Sequence, residues 1–276
     1  MEERSKLGRG LKEISQVYLS DSTRDEIRRA GDHKTEPGPR TIIRVCHPGS
    51  CLVQSFFLTN LALELARNQF PVFVWDGLDS SRAGIEPLMK SLVLEQRENE
   101  AATVRLYGLP DILIHGPGRH DADKLSDLVN IIHSSDNDCY LLVNADSSLE
   151  SLMNDKIHAE HILLSGIDEK SLLQCYAHIR VIQGKGSPCG IFIVFDGLND
   201  GKMAQDTFNR FAAFIEKKLQ FTIYYLGYLS HDEYLHRSVE ESKPLMLLQD
   251  RSETKDNMTA ISRNLILFRQ NHQKNS

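Results

Sequence analysis

Residues 44–77 read RVCHPGSCLVQSFFLTNLALELARNQFPVFVWDG. The stretch begins inside a short β-branched run, Thr41–Cys46, and breaks at Pro48 and Gly49. Beyond the break, Phe57, Leu61 and Leu65 recur at helical spacing over 54–67. A second strand-like run, PVFVW at 71–75, follows and ends on Asp76. A strand that enters a turn, and a turn that opens a helix, make the architecture of a phosphate-binding loop, with the helix amino terminus facing an anion. In open α/β sheets ligands sit at the carboxyl ends of the strands, near the point where strand order reverses. This first strand–loop–helix unit is therefore the expected site.

Outward from it, the same alternation continues. Strand-like runs are expected at 103–107, 112–115, 139–143, 161–164, 190–195 and 221–226, and helical patterns at 85–96, 123–133, 169–181, 201–219 and 254–269. Nearly continuous apolar strands between helices predict a buried parallel sheet. The expected fold class is α/β, three-layered, with a mainly parallel sheet of seven or eight strands and helices on both faces. Leu7, Leu11, Ile14, Val17 and Tyr18 share one helical face, and a polar stretch then runs to Pro37-Gly38-Pro39. Residues 1–39 are thus read as a helical arm and linker, and 40–276 as the domain.

The 276 residues include 41% hydrophobic and 25% charged residues, an ordinary globular balance that argues against disordered or fibrous classes. A formal net charge of −6 provides no overall attraction to nucleic acid, which is not an expected partner. No apolar run approaches the roughly 20 residues of a membrane helix, and the charged amino terminus lacks the apolar core of a signal peptide. Cys46, Cys51, Cys139, Cys175 and Cys189 form no C-x-x-C pair, as expected of reduced, mostly buried thiols in a cytoplasmic protein.

Asn60-Leu-Ala-Leu-Glu-Leu-Ala-Arg67, followed by Phe70-Pro-Val-Phe-Val-Trp-Asp76, resembles the MinD/ParA superfamily, and particularly its FlhG-like branch. In that family a deviant Walker A loop, KGGVGKT, precedes a helix reading NLA-x-x-LA and a strand that ends in aspartate. Laid on without gaps, the loop falls on 49–55. Gly49 stands at the signature lysine, Ser50 and Cys51 at two glycines, and Val53 at the last glycine. Gln54 stands at the phosphate-binding lysine, and Ser55 keeps the magnesium-binding hydroxyl. Further on, Asp138–Ser147 resembles the family's D-T/A-x-x-G strand, with Asn144 in place of its aspartate. The strand and helix at 161–176 resemble another family segment, and Ile191–Asp196 resembles the VVVN strand with Asp196 replacing its asparagine. Tyr225–Leu245 resembles LGYIPxDxxVxxAVxxxxP. The resemblance spans roughly residues 40–268 and implies a P-loop NTPase fold whose chemical positions have changed while its structural ones remain.

The changes have physical weight. Loop glycines let backbone N–H groups wrap phosphate oxygens, and the lysine brings positive charge to the β- and γ-phosphates. A neutral Gln54 and a β-branched Val53 supply neither. The candidate residues of a vestigial nucleotide loop are Gly49, Ser50, Gln54, Ser55 and Asp76, none of them assigned a catalytic role. Asp76 is read either as a residual magnesium-shell carboxylate or as a cap on its loop. Cys46, His47 and Cys51 lack the spacing of a metal-ligand set, and no metal is expected. The turn 115–120 (HGPGRH) offers Arg119 to a phosphate or a partner carboxylate, or serves as a plain turn. Residues 260–268 read as the last packing element of the fold rather than a membrane-binding helix, which needs a free apolar face.

The expectation is a pseudo-ATPase that acts through protein–protein contacts in positioning, assembling or regulating a cellular machine. It would have no required cofactor. Its partner would be a protein or an active paralogue, with a homodimer open. It would be cytoplasmic, reaching any membrane-associated assembly only through a partner. The alternatives are an ATPase using ATP and magnesium on an unorthodox loop that retains Ser55 and Asp76, and a non-hydrolytic nucleotide- or anion-binding module.

Overall fold

A computed structural model of the chain describes residues 41–78, 85, 88, 93–95, 102–104, 106, 108–115, 122–134, 138–144, 159–184, 190–230, 233–249 and 251–273. The expected arm, 1–39, and the turn residues 116–120 lie outside the described residues.

The strands are β1 (Thr41–Cys46), β2 (Val72–Asp76), β3 (Val93–Glu95), β4 (Ala102–Val104), β5 (Ile112–His115), β6 (Tyr140–Asn144), β7 (Glu160–Ser165), β8 (Ile191–Leu198) and β9 (Tyr224–Ser230). The helices are α1 (Cys51–Arg67), α2 (Ala122–Ser134), α3 (Glu169–Gly184), α4 (Gly201–Leu219), α5 (Tyr234–Glu240) and α6 (Glu253–Gln273), with a 3-10 turn at Leu245–Leu247. They form one sheet in the order β3-β4-β5-β2-β6-β1-β7-β8-β9. From β5 to β9 all pairings are parallel, and β3 and β4 extend this edge antiparallel. The expected parallel α/β sheet is therefore present, with a short hairpin added to one edge.

That hairpin corrects two local expectations. A helix was expected over 85–96, but Val93–Glu95 forms a strand. The run expected at 103–107 is strand Ala102–Val104, and it pairs antiparallel with β5. Short apolar runs fit either period, and here β5 supplies the backbone partners of β4, and β4 those of β3. The late strand begins at Tyr224 rather than 221, since its pairing with β8 starts there.

Alternation along β1 distributes the core. Ile43 and Val45 join α1 and α6 on one face, while Ile42 turns to the α2 side on the other. The clusters under α2 and under α3 and α4 are separate. α1 is buried along residues 54–66 because it lies between the sheet and α6, which explains an apolar content that exceeds one helical face. α6 buries Met258, Ile261 and Leu265 in the same core, so its apolar residues are used in packing, as expected. Its Arg269 forms an ion pair with Glu160 at 2.8 Å and a hydrogen bond to Thr41, fastening the last helix to the starts of β7 and β1. A bulge in β9 brings Gly227 against α6, with φ +149°. A Cβ there would lie 2.8 Å from Ile261 Cγ1, so only glycine allows this approach. No helix among the described residues is long and apolar enough to cross a membrane.

Candidate functional site

Sheet order assembles the site. β1 lies between β6 and β7, and β6 lies between β1 and β2. Register sets Asn144, the last residue of β6, beside Val45 on one side and Asp76 on the other. The carboxyl ends of β1, β2 and β6 thus converge under the amino terminus of α1.

The loop there is shorter than expected. α1 begins at Cys51, with Ser50 as its N-cap accepting the Val53 N–H at 3.2 Å. Residues 51–55, which the resemblance places on the phosphate loop, are already helical. Without glycines at 51 and 53, these residues complete a helical turn and do not curl around a ligand.

Below this turn, four buried side chains bond to one another. Gln54 Oε1 accepts the His47 N–H at 2.8 Å, and Gln54 Nε2 donates to Asn144 Oδ1 at 2.8 Å. Asn144 Nδ2 donates to Ser55 Oγ at 3.0 Å and to Asp76 Oδ1 at 2.7 Å. Asp76 Oδ2 accepts the Ile85 N–H at 2.6 Å, and Oδ1 also faces the Leu78 N–H at 3.4 Å. The amide orientations follow from the ends of the chain. A backbone donor fixes the oxygen of Gln54, and a carboxylate fixes the nitrogen of Asn144. Both Asn144 amide hydrogens are used.

Gly49 and Ser50 lie outside this chain of contacts. Their N–H groups donate to His47 Nδ1 at 2.9 and 3.0 Å. The other ring nitrogen of His47 lies 3.3 Å from Asp196 Oδ2, across the end of β7. The structure therefore brings Gln54, Ser55 and Asp76 together through Asn144, and places Gly49 and Ser50 beside them through His47. Asp76 is held as a cap on the loop after β2, which matches one of its two expected readings. Asn144 ends β6, where the resemblance places it, and Asp196 lies within β8, two residues before its end at Leu198.

The role of His47 is not among the sequence expectations, which weighed it only as a metal ligand. A local signal exists: an acceptor side chain two and three residues before free N–H groups closes an Asx-like turn. Of the thiols, Cys139 and Cys175 are buried and Cys46 is half-buried, but Cys51 is exposed in the first turn of α1, contrary to the expected packing. Burial, with a smaller contribution from neighbouring Cys46, pushes the Cys175 thiol up to about 12. Among the described residues no group of three or more His, Cys, Asp or Glu could hold a metal ion.

Chemically, the arrangement contrasts with a magnesium–triphosphate cradle. The loop N–H groups already have an imidazole acceptor, and the lysine position carries a neutral amide used at both ends. The Ser55 hydroxyl accepts from Asn144 in the place where a metal would draw on it.

No protein-family model matches the chain, and no curated protein matches it in sequence. Solved structures do match in fold. A chain of the MinC:MinD cell division protein complex of Aquifex aeolicus superposes with a TM-score of 0.63 at 14% identity, covering 82% of this chain and 95% of that one. The ParA family ATPase of Chlorobium tepidum TLS superposes at 0.60 and 13% identity, covering 82% and 100%. The cell division ATPase MinD of Pyrococcus furiosus does so at 0.60 and 12%, covering 83% and 100%. The chain has the MinD/ParA fold.

Proposed function

We propose that this chain is a catalytically degenerate protein of MinD/ParA type, nearest the FlhG-like branch, which works through protein contacts and not through nucleotide hydrolysis. One observation carries the reading: the side chains at the nucleotide-loop positions bond to one another. Gln54, Asn144, Ser55 and Asp76 form a buried chain of hydrogen bonds centred on Asn144. A triphosphate would have to break this chain and would find no lysine at position 54 to offset the loss.

A MinD of this fold forms a complex with MinC. By analogy, the partner of this chain is a protein, either an active paralogue or a component of a machine that it positions, assembles or regulates. It acts in the cytoplasm and reaches a membrane-associated assembly through that partner. Without a nucleotide-bridging lysine, its self-association is independent of ATP.

The test is calorimetric and thermal-shift titration with ATP or ADP and magnesium, alongside a sizing measurement. A genuine site at about 100 times its Kd would stabilise the fold by roughly 2.7 kcal/mol. The expected result is no shift at millimolar nucleotide and an oligomeric state that ATP leaves unchanged. Saturable stabilisation, with hydrolysis abolished by Ser55→Ala, would establish an ATPase with an unorthodox loop instead. Stabilisation without hydrolysis would establish a nucleotide-binding module.

A further inference from the structure

His47 and Asp196 make a connection that none of the loop motifs requires. A neutral imidazole has one accepting and one donating nitrogen. The N–H groups of Gly49 and Ser50 both point at Nδ1, at 2.9 and 3.0 Å, so Nδ1 is the acceptor and the ring proton lies on Nε2. Nε2 faces Asp196 Oδ2 at 3.3 Å. The turn 47–50 is therefore folded around one unprotonated ring nitrogen.

Protonation changes the sign of that contact. A hydrogen added at Nδ1 enters the space where two N–H hydrogens already converge, and two hydrogen bonds become donor–donor contacts. On the opposite side of the ring, the hydrogen bond to Asp196 becomes an ion pair and strengthens. The imidazolium is drawn toward β8 and repelled from its own loop. Histidine is the side chain whose ordinary titration lies nearest physiological pH, and His47 retains 10% side-chain exposure for proton exchange.

We propose that His47 is a proton-operated latch on the loop between β1 and α1. The neutral ring holds the Gly49 and Ser50 N–H groups, and the imidazolium, anchored on Asp196, releases them. The latch rests on the reading that side chains, not phosphate, hold this loop.

The neighbouring described elements bring several charged groups to this end of the sheet, among them Glu253 and Asp256 in the first turn of α6, where Glu253 accepts from the Tyr228 hydroxyl of β9. Asp196 of β8 contacts the ring. Asp168, in the turn before α3, is bonded to the Ser171 hydroxyl and N–H, and Glu169 follows it. Asp200 caps α4 through the Lys202 and Met203 N–H groups. Asp76 is bonded to Asn144, and the first turn of α1 carries no acidic residue. Of these, Asp196 is the carboxylate that the ring meets directly.

The test uses the full chain, labelled with nitrogen-15 and free of nucleotide. Imidazole nitrogens and backbone amides are followed by NMR from about pH 8 to about pH 5, the range in which histidine ordinarily titrates. The expected results are a ring proton on Nε2 at the upper end, and Gly49 and Ser50 amide protons that move upfield together as His47 titrates. His47→Asn places an acceptor oxygen near the position of Nδ1 but cannot titrate, so in that variant both amides should stay fixed across the range. A proton on Nδ1 at high pH would overturn the latch. So would Gly49 and Ser50 amides that ignore the His47 titration, or amides that shift equally in His47→Asn. These readings use nucleotide-free protein. Binding of ATP in the separate titration would therefore refute the proposed function without deciding the latch.

Discussion

Replacing Asn144 with alanine removes the hub of the buried chain of hydrogen bonds. The side chain makes three: from Gln54 Nε2 at 2.8 Å, to Ser55 Oγ at 3.0 Å, and to Asp76 Oδ1 at 2.7 Å. Asn144 and Ser55 are 0% exposed, and Gln54 and Asp76 are 1% exposed, so bulk water cannot simply replace the lost partner. Two neutral hydrogen bonds at about 1 kcal/mol each, and one to a carboxylate at about 2 kcal/mol, suggest a loss of about 4 kcal/mol. For a chain of this size, that is a fall in Tm of roughly 8–16 °C. The assay is urea unfolding at neutral pH, checked by calorimetry. Asn144→Asp keeps the size but removes both N–H donors and sets a second carboxylate beside Asp76. It should lose more stability at neutral pH and recover as the pH falls and the pair takes up a proton. A loss below about 1 kcal/mol in Asn144→Ala, the worth of a single hydrogen bond, would refute the claim that this chain of contacts is a built part of the core.

Three other outcomes are expected. The double variant Val53→Gly with Gln54→Lys should not acquire nucleotide binding by calorimetry. Its helix still starts at Cys51, its loop N–H groups remain on His47, and it leaves the His47 N–H without the Gln54 acceptor. Gly227→Ala should lower stability by about 2 kcal/mol in urea unfolding, because its Cβ would meet Ile261 Cγ1 at 2.8 Å on a backbone that side chains rarely adopt. Burial pushes the Tyr140 phenol up from 10.0 to about 12, the nearby Arg269 opposing this in smaller measure. The unfolded chain therefore releases this proton first, so the contribution of Tyr140 to stability should be constant below pH 10 and be lost between about pH 10 and 12, adding to the loss that the raised Cys175 thiol begins at its ordinary value of 9.0. Tm measured across that range, with tyrosinate absorbance followed in parallel, checks the sign; stability rising with pH there would contradict it.

The legible part of this protein was its local periodicity. Apolar runs marked β1, β2 and the strands from β6 to β9, and helical spacing marked α1, α3, α4 and α6, because side-chain period is set by the backbone within a few residues. The same residues showed that position 54 carries no charge and that glycines are missing at 51 and 53. Where a run was short, periodicity failed: Val93–Glu95 became a strand only because the edge of β5, extended by β4, offered it a partner.

The site was legible as a list of residues but not as an arrangement. Nothing in the sequence placed Gln54 against Asn144, 90 positions away, or His47 against Asp196, 149 positions away. Those contacts depend on β6 being inserted between β1 and β2, and on β8 lying one strand beyond β7, within reach of His47. The sequence by itself determined which side chains stood at the loop and that they were neutral where a phosphate needs charge. Only the tertiary structure decided that these side chains would satisfy one another, because a buried hydrogen bond requires its partner within about 3 Å, and strand order, not spacing along the chain, sets that distance.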